Sequence, residues 1–196
     1  MNTIYQSLIT KNFKMTKILT TLLLFTFIAC GQSQESNNSI KKTKPNWKTL
    51  EENNYSIQYP ADWELNQSGQ MGTTFILFSP LSSDQDKFKD NVNLLIQDLS
   101  GHNLNLDKYA EISEGQVRTM ITNSTLIESK RIKNGSKEFH RMIYTGDQGM
   151  FHLKFEQFYW VNNEKAYVLT LTCEQDKFSD FKDVGETILN SFIFKK

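Results

Sequence analysis

Lys165-Ala166-Tyr167-Val168-Leu169-Thr170-Leu171-Thr172-Cys173-Glu174 is the last of four strand-like segments that decide the fold. The other three are Thr125–Ile132, Lys137–Thr145 and Met150–Val161. They are separated by Asn134-Gly135, by Gly146-Asp147-Gln148-Gly149 and by Asn162-Asn163. Asn-Gly is a strong hairpin signal, because both central residues of a type I′ turn need positive φ. The segments therefore read as an antiparallel meander. In the third, Phe151, Leu153 and Phe155 share one parity, while Phe158 and Trp160 share the other. That pattern calls either for a bulge near Glu156 or for cover on both faces. In the fourth, Tyr167, Leu169, Leu171 and Cys173 fall on one face, which makes Cys173 a small buried hydrophobe.

Working outward, Tyr55-Ser56-Ile57-Gln58-Tyr59 alternates as a half-buried strand, and Pro60 ends it because proline cannot donate to a ladder. Thr73–Ser79 is a short apolar run suited to a strand covered on both sides. Leu81–Asp90 reads as a charged, solvated loop, and Val92, Leu94 and Ile96 mark the next strand. From Leu106 to Ile121 the period becomes helical, with Leu106, Tyr109, Ala110, Val117, Met120 and Ile121 on one stripe. Asn105 or Asp107 caps it, and Gly115 inside it costs about 1 kcal/mol relative to alanine. Phe178, Phe181, Val184, Ile188 and Leu189 return to helical spacing, with Asp176 or Ser179 as cap. Phe192-Ile193-Phe194 closes the chain. The expected class is α+β: an antiparallel sheet of about seven strands with two flanking helices.

Tyr55-Ser56-Ile57-Gln58-Tyr59-Pro60-Ala61-Asp62-Trp63 resembles the opening of PsbP-like and DcrB-like domains. Ala166–Thr172, Phe178–Phe181 and Ile188-Leu189-Asn190-Ser191-Phe192 resemble that family's last strand and C-terminal helix. The resemblance covers about residues 50–194 and implies an α/β/α sandwich. Its motifs are core and turn residues, so they speak to fold. PsbP itself is an accessory subunit of the oxygen-evolving complex, and many bacterial relatives are envelope lipoproteins. What the resemblance implies here is a non-catalytic, extracytoplasmic accessory or binding domain.

The N-terminal part supplies the address. Lys17 is followed by the mostly apolar run Ile18–Ala29 and then by Cys30-Gly31-Gln32. Twelve residues are too few for a spanning helix, which needs about 20, so the run reads as an export signal. Phe27-Ile28-Ala29-Cys30 resembles a bacterial lipobox, with Phe27 where leucine is usual. In that reading Cys30 Sγ carries a diacylglycerol, and translation starts at Met15. The chain then divides into a lipoprotein signal peptide over residues 1–29, the lipidated cysteine and a polar tether over 30–46, and a PsbP-like domain over 47–196. Gly31–Asn46 has a single large apolar residue, Ile40, and is too polar to bury a core. As a flexible coil it spans about 20–25 Å. Gly31 stands where some Gram-negative lipoproteins carry an inner-membrane retention Asp, so the outer membrane is the expected destination.

The chain holds 22 basic and 22 acidic residues, and removing Lys11, Lys14 and Lys17 with the signal leaves a net charge near −3. No concentrated basic face points to nucleic acid. With Cys30 acylated, Cys173 has no partner for an intramolecular disulfide. His140 and His152 lie on one expected hairpin. With its turn centred between Asp147 and Gln148, His152 pairs with Ile143 and His140 with Phe155, which points the two imidazoles to opposite faces. The Asp84–Asp90 loop has the alternating acids of a calcium site, but Phe88 stands where a ligand oxygen is wanted. No G-x-S-x-G, H-E-x-x-H, C-x-x-C or glycine-rich phosphate loop occurs. No catalytic, cofactor-binding or metal role is assigned to any residue, and the only site residue is Cys30.

Two functions follow. The first is a lipid-anchored accessory domain, partnered by the bilayer through Cys30 and by another envelope component. The alternative is a small-ligand carrier or enzyme using a cleft between sheet and helix. A filled sandwich favours the first, and a deep pocket with convergent polar groups favours the second.

Overall fold

The computed structural model describes residues 46–135 and 137–195. The signal peptide, Cys30, Met15 and nearly all of the tether lie outside the described residues. The elements run β1 (Trp47–Glu51), β2 (Tyr55–Pro60), β3 (Glu64–Asn66), β4 (Phe75–Phe78), β5 (Asn91–Asp98), α1 (Leu106–Met120), β6 (Thr122–Asn134), β7 (Lys137–Gln148), β8 (Phe151–Asn162), β9 (Lys165–Glu174), α2 (Phe178–Ser191) and β10 (Ile193–Phe194). Seven strands form one antiparallel sheet in the order β3-β4-β5-β9-β8-β7-β6. The fold is α+β, as expected, with one difference of membership. Tyr55–Tyr59 is not in the large sheet: β2 pairs with β1 and β10 in a sheet of three. The closing Ile193–Phe194 segment returns to that strand, and Gln58 N donates to Ser191 Oγ at 2.8 Å, so the end of α2 ties the small sheet down.

The meander forms with its turns displaced from the expected places. Gln148 pairs with Phe151, so the β7–β8 turn lies at Gly149-Met150, two residues later than the sequence places it. His152 therefore faces Asp147, and His140 faces Tyr159. Two glycines with different duties explain the slip. Gly149 has φ +61°, the left-handed conformation the turn requires. Gly146 stays in the strand, where an added Cβ would lie 2.2 Å from Ile121 Cγ2. No bulge interrupts β8 near Glu156, and its register runs unbroken against both neighbours. The mixed parity of β8 reflects cover on both faces. The irregularities fall in β6 instead, between Thr122 and Thr125 and between Leu126 and Glu128.

The two faces are covered differently. On one, α2 and the small sheet close over Phe75, Leu77, Val92, Leu94, Leu169, Leu171 and Cys173. Gly185 lets the helix approach, since a Cβ there would meet Leu171 Cδ2 at 2.5 Å. Trp160 and Tyr55 pack on Phe192 at ring-centroid distances of 5.0 and 5.2 Å. Arg141 clamps this face. Its Nε donates to Glu156 Oε1 at 2.6 Å, and its other nitrogens donate to Glu128 at 3.1 Å and Glu186 at 3.0 Å. Glu156 is fully buried. The α2 helix is uncapped by Asp176 or Ser179. A 3₁₀ turn, Gln175–Lys177, leads straight into it, and Lys177 occupies the N-cap position without a side-chain bond. Lys177 Nζ turns instead to Asp86.

On the other face, α1 packs mainly over β6, β7 and β8, and the Tyr109 hydroxyl reaches β5, donating to Gln97 Oε1 at 3.0 Å. Asn105 caps it, accepting from Lys108 N at 2.9 Å. Its buried residues Leu106, Tyr109 and Val117, with Ile121 at the C-cap, meet Met142, Tyr144, Leu153, Phe155 and Tyr159. Among the described residues both hydrophobic clusters are continuous, and the pairing of β2 with β10 ties the two ends of the 46–195 stretch together. Among the described residues no helix is long and apolar enough to cross a membrane.

Candidate functional site

The uncovered half of the α1 face forms a cleft of about 900 Å³, within the range that takes small ligands. Its floor follows from register. Asn91 lies opposite Phe78 and Thr172, and Asn93 opposite Ile76 and Thr170; Thr170 in turn lies opposite Gln157. Because side chains alternate along a strand, these residues all project on the α1 side. One wall is α1, through Tyr109, Ser113, Gln116 and Val117. The loop carrying Phe88 and the β7–β8 turn with Phe151 close one end, their rings 5.2 Å apart.

The polar centre of the floor is neutral and internally linked. Asn93 Nδ2 donates to Asn91 Oδ1 at 3.2 Å, and Asn91 Nδ2 donates to the Lys89 carbonyl at 3.2 Å. Gln157 Nε2 donates to Thr170 Oγ1 at 3.0 Å, and Gln157 Oε1 accepts from the Tyr159 hydroxyl. Burial raises the phenols of Tyr109, Tyr144 and Tyr159, which keeps them neutral hydroxyls. Charge enters the lining at the rim, where Lys89 Nζ pairs with Glu64 at 2.9 Å.

The Leu81–Asp90 loop is held more firmly than a solvated charged loop. Asp86 is buried and accepts from Ser82 N and Oγ, Phe88 N and Lys177 Nζ. Burial alone would raise its carboxyl, but the bonds from Lys177 and Ser82 outweigh that and hold it well below the usual range. This bracing sets Phe88 at the cleft. Asp90 is buried too, and burial pushes its carboxyl up to about 6, opposed by the Glu174 amide and the Cys173 thiol. Cys173 is buried among Leu169, Leu171 and Tyr167 on the α2 face. Burial, with Asp90 beside it, pushes its thiol up, so it stays protonated. That is the opposite of nucleophile activation.

The histidines are not brought together. His152 Nδ1 meets Asp147 Oδ1 at 2.6 Å on the surface, and Asp147 also accepts from Asn123. His140 lies between the sheet and α1, where Nε2 approaches Ser129 Oγ at 2.6 Å. Ser129 donates to Glu114 Oε1 at 2.5 Å. Here the carboxylate meets the serine and not the imidazole, so the orienting bond that an acyl-transfer triad needs is missing. The cluster also stands outside the cleft lining. Among the described residues no group of three His, Cys, Asp or Glu side chains is placed to hold a metal ion.

No family model matches the sequence, and no curated protein matches it in sequence. Similarity appears in shape. The cyanobacterial PsbP (CyanoP) of Synechocystis sp. PCC 6803 superposes with a TM-score of 0.54 at 13% identity, covering 81% of this chain and 98% of its own. LpqN of Mycobacterium tuberculosis, described as involved in cell envelope biogenesis, gives 0.55 at 10% identity, covering 79% and 93%. PA94 of Pseudomonas aeruginosa, of unknown function and described as a putative regulator, gives 0.56 at 11%, covering 76% and 98%. Identities this low carry the fold alone. The β-meander, the single helix on each face and these three neighbours together give residues 46–195 a PsbP-like fold.

Proposed function

We propose that this chain is a protein of the bacterial cell envelope anchored in the bilayer through an acylated Cys30, whose PsbP-like domain is a non-catalytic binding module. Its ligand is small and sits in the α1-side cleft. The observation that carries this reading is the asymmetry of the sheet. One face is filled by a helix and a second sheet, while the other leaves β4, β5 and part of β9 open beneath a cleft of about 900 Å³. A filled sandwich would favour docking of a protein partner; this cleft, with amides and hydroxyls converging on its floor, favours a ligand carrier or sensor. The role of LpqN in cell envelope biogenesis supports the location. The apolar run before Cys30 and the polar segment after it support the anchor.

Two experiments test the two halves. Cys30→Ala followed by fractionation is expected to release the protein from the membrane pellet, and an unchanged distribution contradicts the lipid anchor. For the cleft, native mass spectrometry of residues 46–196 after incubation with the low-molecular-weight fraction of an envelope extract is expected to show a retained mass. Asn93→Trp, which fills the centre of the floor, is expected to abolish it. Equal retention by both proteins contradicts the site.

A further inference from the structure

We infer that the cleft binds an uncharged carbohydrate, an inference that rests on the cleft being the ligand site and names what it takes. The polar part of the floor is a contiguous patch of five side chains: Asn91 and Asn93 on β5, Thr170 and Thr172 on β9, and Gln157 on β8. Adjacent strands lie about 4.8 Å apart and alternate residues about 6.8 Å apart. The patch therefore measures about 10 by 7 Å, comparable to one or two pyranose rings.

Every member of the patch is neutral, and each both donates and accepts. A side-chain amide carries two donor hydrogens and a carbonyl with two lone pairs, and a threonine hydroxyl carries a donor and two acceptor positions. The internal bonds consume only part of this capacity. Asn93 has spent one N–H on Asn91, Asn91 one on the Lys89 carbonyl, and Gln157 one on Thr170, while Gln157 Oε1 accepts from Tyr159. What is left over matches vicinal sugar hydroxyls, which need a donor and an acceptor side by side. Around the patch stand three half-buried rings, Phe78, Phe88 and Phe151. Lys89 Nζ lies over the Phe78 ring at 5.8 Å and Phe88 packs on Phe151, so these rings supply an apolar border against which the C–H groups of a pyranose can rest.

Competing chemistries fit less well. An acyl chain laid on this floor would leave the internal bonds in place but cover the spare donors and acceptors, at about 1–3 kcal/mol for each group left unsatisfied. An anionic headgroup would want a cation on the floor, whereas the lysines of the lining stand at the rim and Lys89 is paired with Glu64. A peptide strand gains most by pairing with a free sheet edge. Between β4 and β8 the backbone of this floor is already paired on both sides.

Calorimetric titration of residues 46–196 with cellotetraose, N-acetylchitotetraose and maltotetraose tests the inference, with tetra-alanine and dodecanoate as the competing chemistries. At least one tetrasaccharide is expected to bind. Asn93→Ala is expected to weaken it about tenfold, the equivalent of one hydrogen bond, and Asn93→Gln, which keeps the amide, is expected to retain more of the affinity. Binding that is indifferent to Asn93→Ala and to Asn93→Trp overturns the site. Failure of all three sugars overturns the carbohydrate assignment. If dodecanoate or tetra-alanine then binds and Asn93→Trp blocks it, the cleft survives as a ligand site with a different occupant. If Asn93→Trp also leaves retention of the extract mass unchanged, the cleft reading falls as well.

Discussion

The two faces of the large sheet are built from the same strands and do opposite things. Alternation sends Val92, Leu94, Leu169 and Leu171 to one side, where α2 and the small sheet bury them completely. It sends Asn91, Asn93, Thr170 and Thr172 to the other side, where α1 packs mainly over β6 to β8 and leaves the cleft beside it. The sealed face supplies stability through area removed from water. The open face carries neutral hydrogen-bonding groups that contribute little to holding the fold. One β-strand can therefore serve both ends, because its period of two separates them residue by residue.

That contrast can be broken in stages. The largest effect is expected at the clamp of the sealed face. Arg141→Ala leaves Glu156, fully buried, without its counter-charge, and should cost about 3–5 kcal/mol in urea unfolding. A loss under 1 kcal/mol would mean that Glu156 is already protonated in the native state. Burial does raise its carboxyl, with Arg141 pulling the other way.

Next comes the pH dependence set by Asp90. Its folded carboxyl titrates at about 6, above the ordinary value of 3.8, so the folded state binds its proton more tightly than the unfolded state does. The resulting stabilisation is full below pH 4 and is lost as pH rises through 6. Asp90→Asn should remove that slope and leave the domain about 1–3 kcal/mol more stable than wild type at pH 7. An unchanged slope would assign the dependence to another group.

Smaller still is Gly115→Ala on the outer side of α1. An added Cβ there has open space, and the backbone is helical. The substitution should stabilise by up to about 1 kcal/mol. The smallest stability effect belongs to the open face. Asn93→Ala should change unfolding by no more than about 0.5 kcal/mol while weakening ligand binding tenfold. A large loss of stability there would erase the division of labour between the faces.

Much of the fold was legible because strand and helix periods were strong. Lys165–Glu174 forms β9 with the bounds its alternation suggests, and Leu106 to Met120 forms α1 behind the Asn105 cap. The turn at Gly149-Met150 was not legible. Two glycines bracket Asp147-Gln148, and only the packing of Ile121 against Gly146 shows which of them stays in the strand. The removal of Tyr55–Pro60 to a separate sheet was equally hidden, since it depends on a pairing with Ile193–Phe194 more than 130 residues away. The cleft left a faint trace: Asn91 and Asn93 on β5 share a face with Thr170 and Thr172 on β9 and Gln157 on β8. Reading that trace needs the β5–β9 register, and the long excursion between those strands conceals it.

The claim that the open half of the α1 face is the binding site has one direct test. The side-chain amide resonances of Asn91, Asn93 and Gln157 can be followed in ¹⁵N-labelled residues 46–196 as the low-molecular-weight envelope fraction is added. These three should shift together and saturate, while the amides of Asn54 and Asn190, outside the cleft lining, stay in place. Stationary resonances at all three floor positions, with shifts at Asn54 or Asn190, would contradict the account.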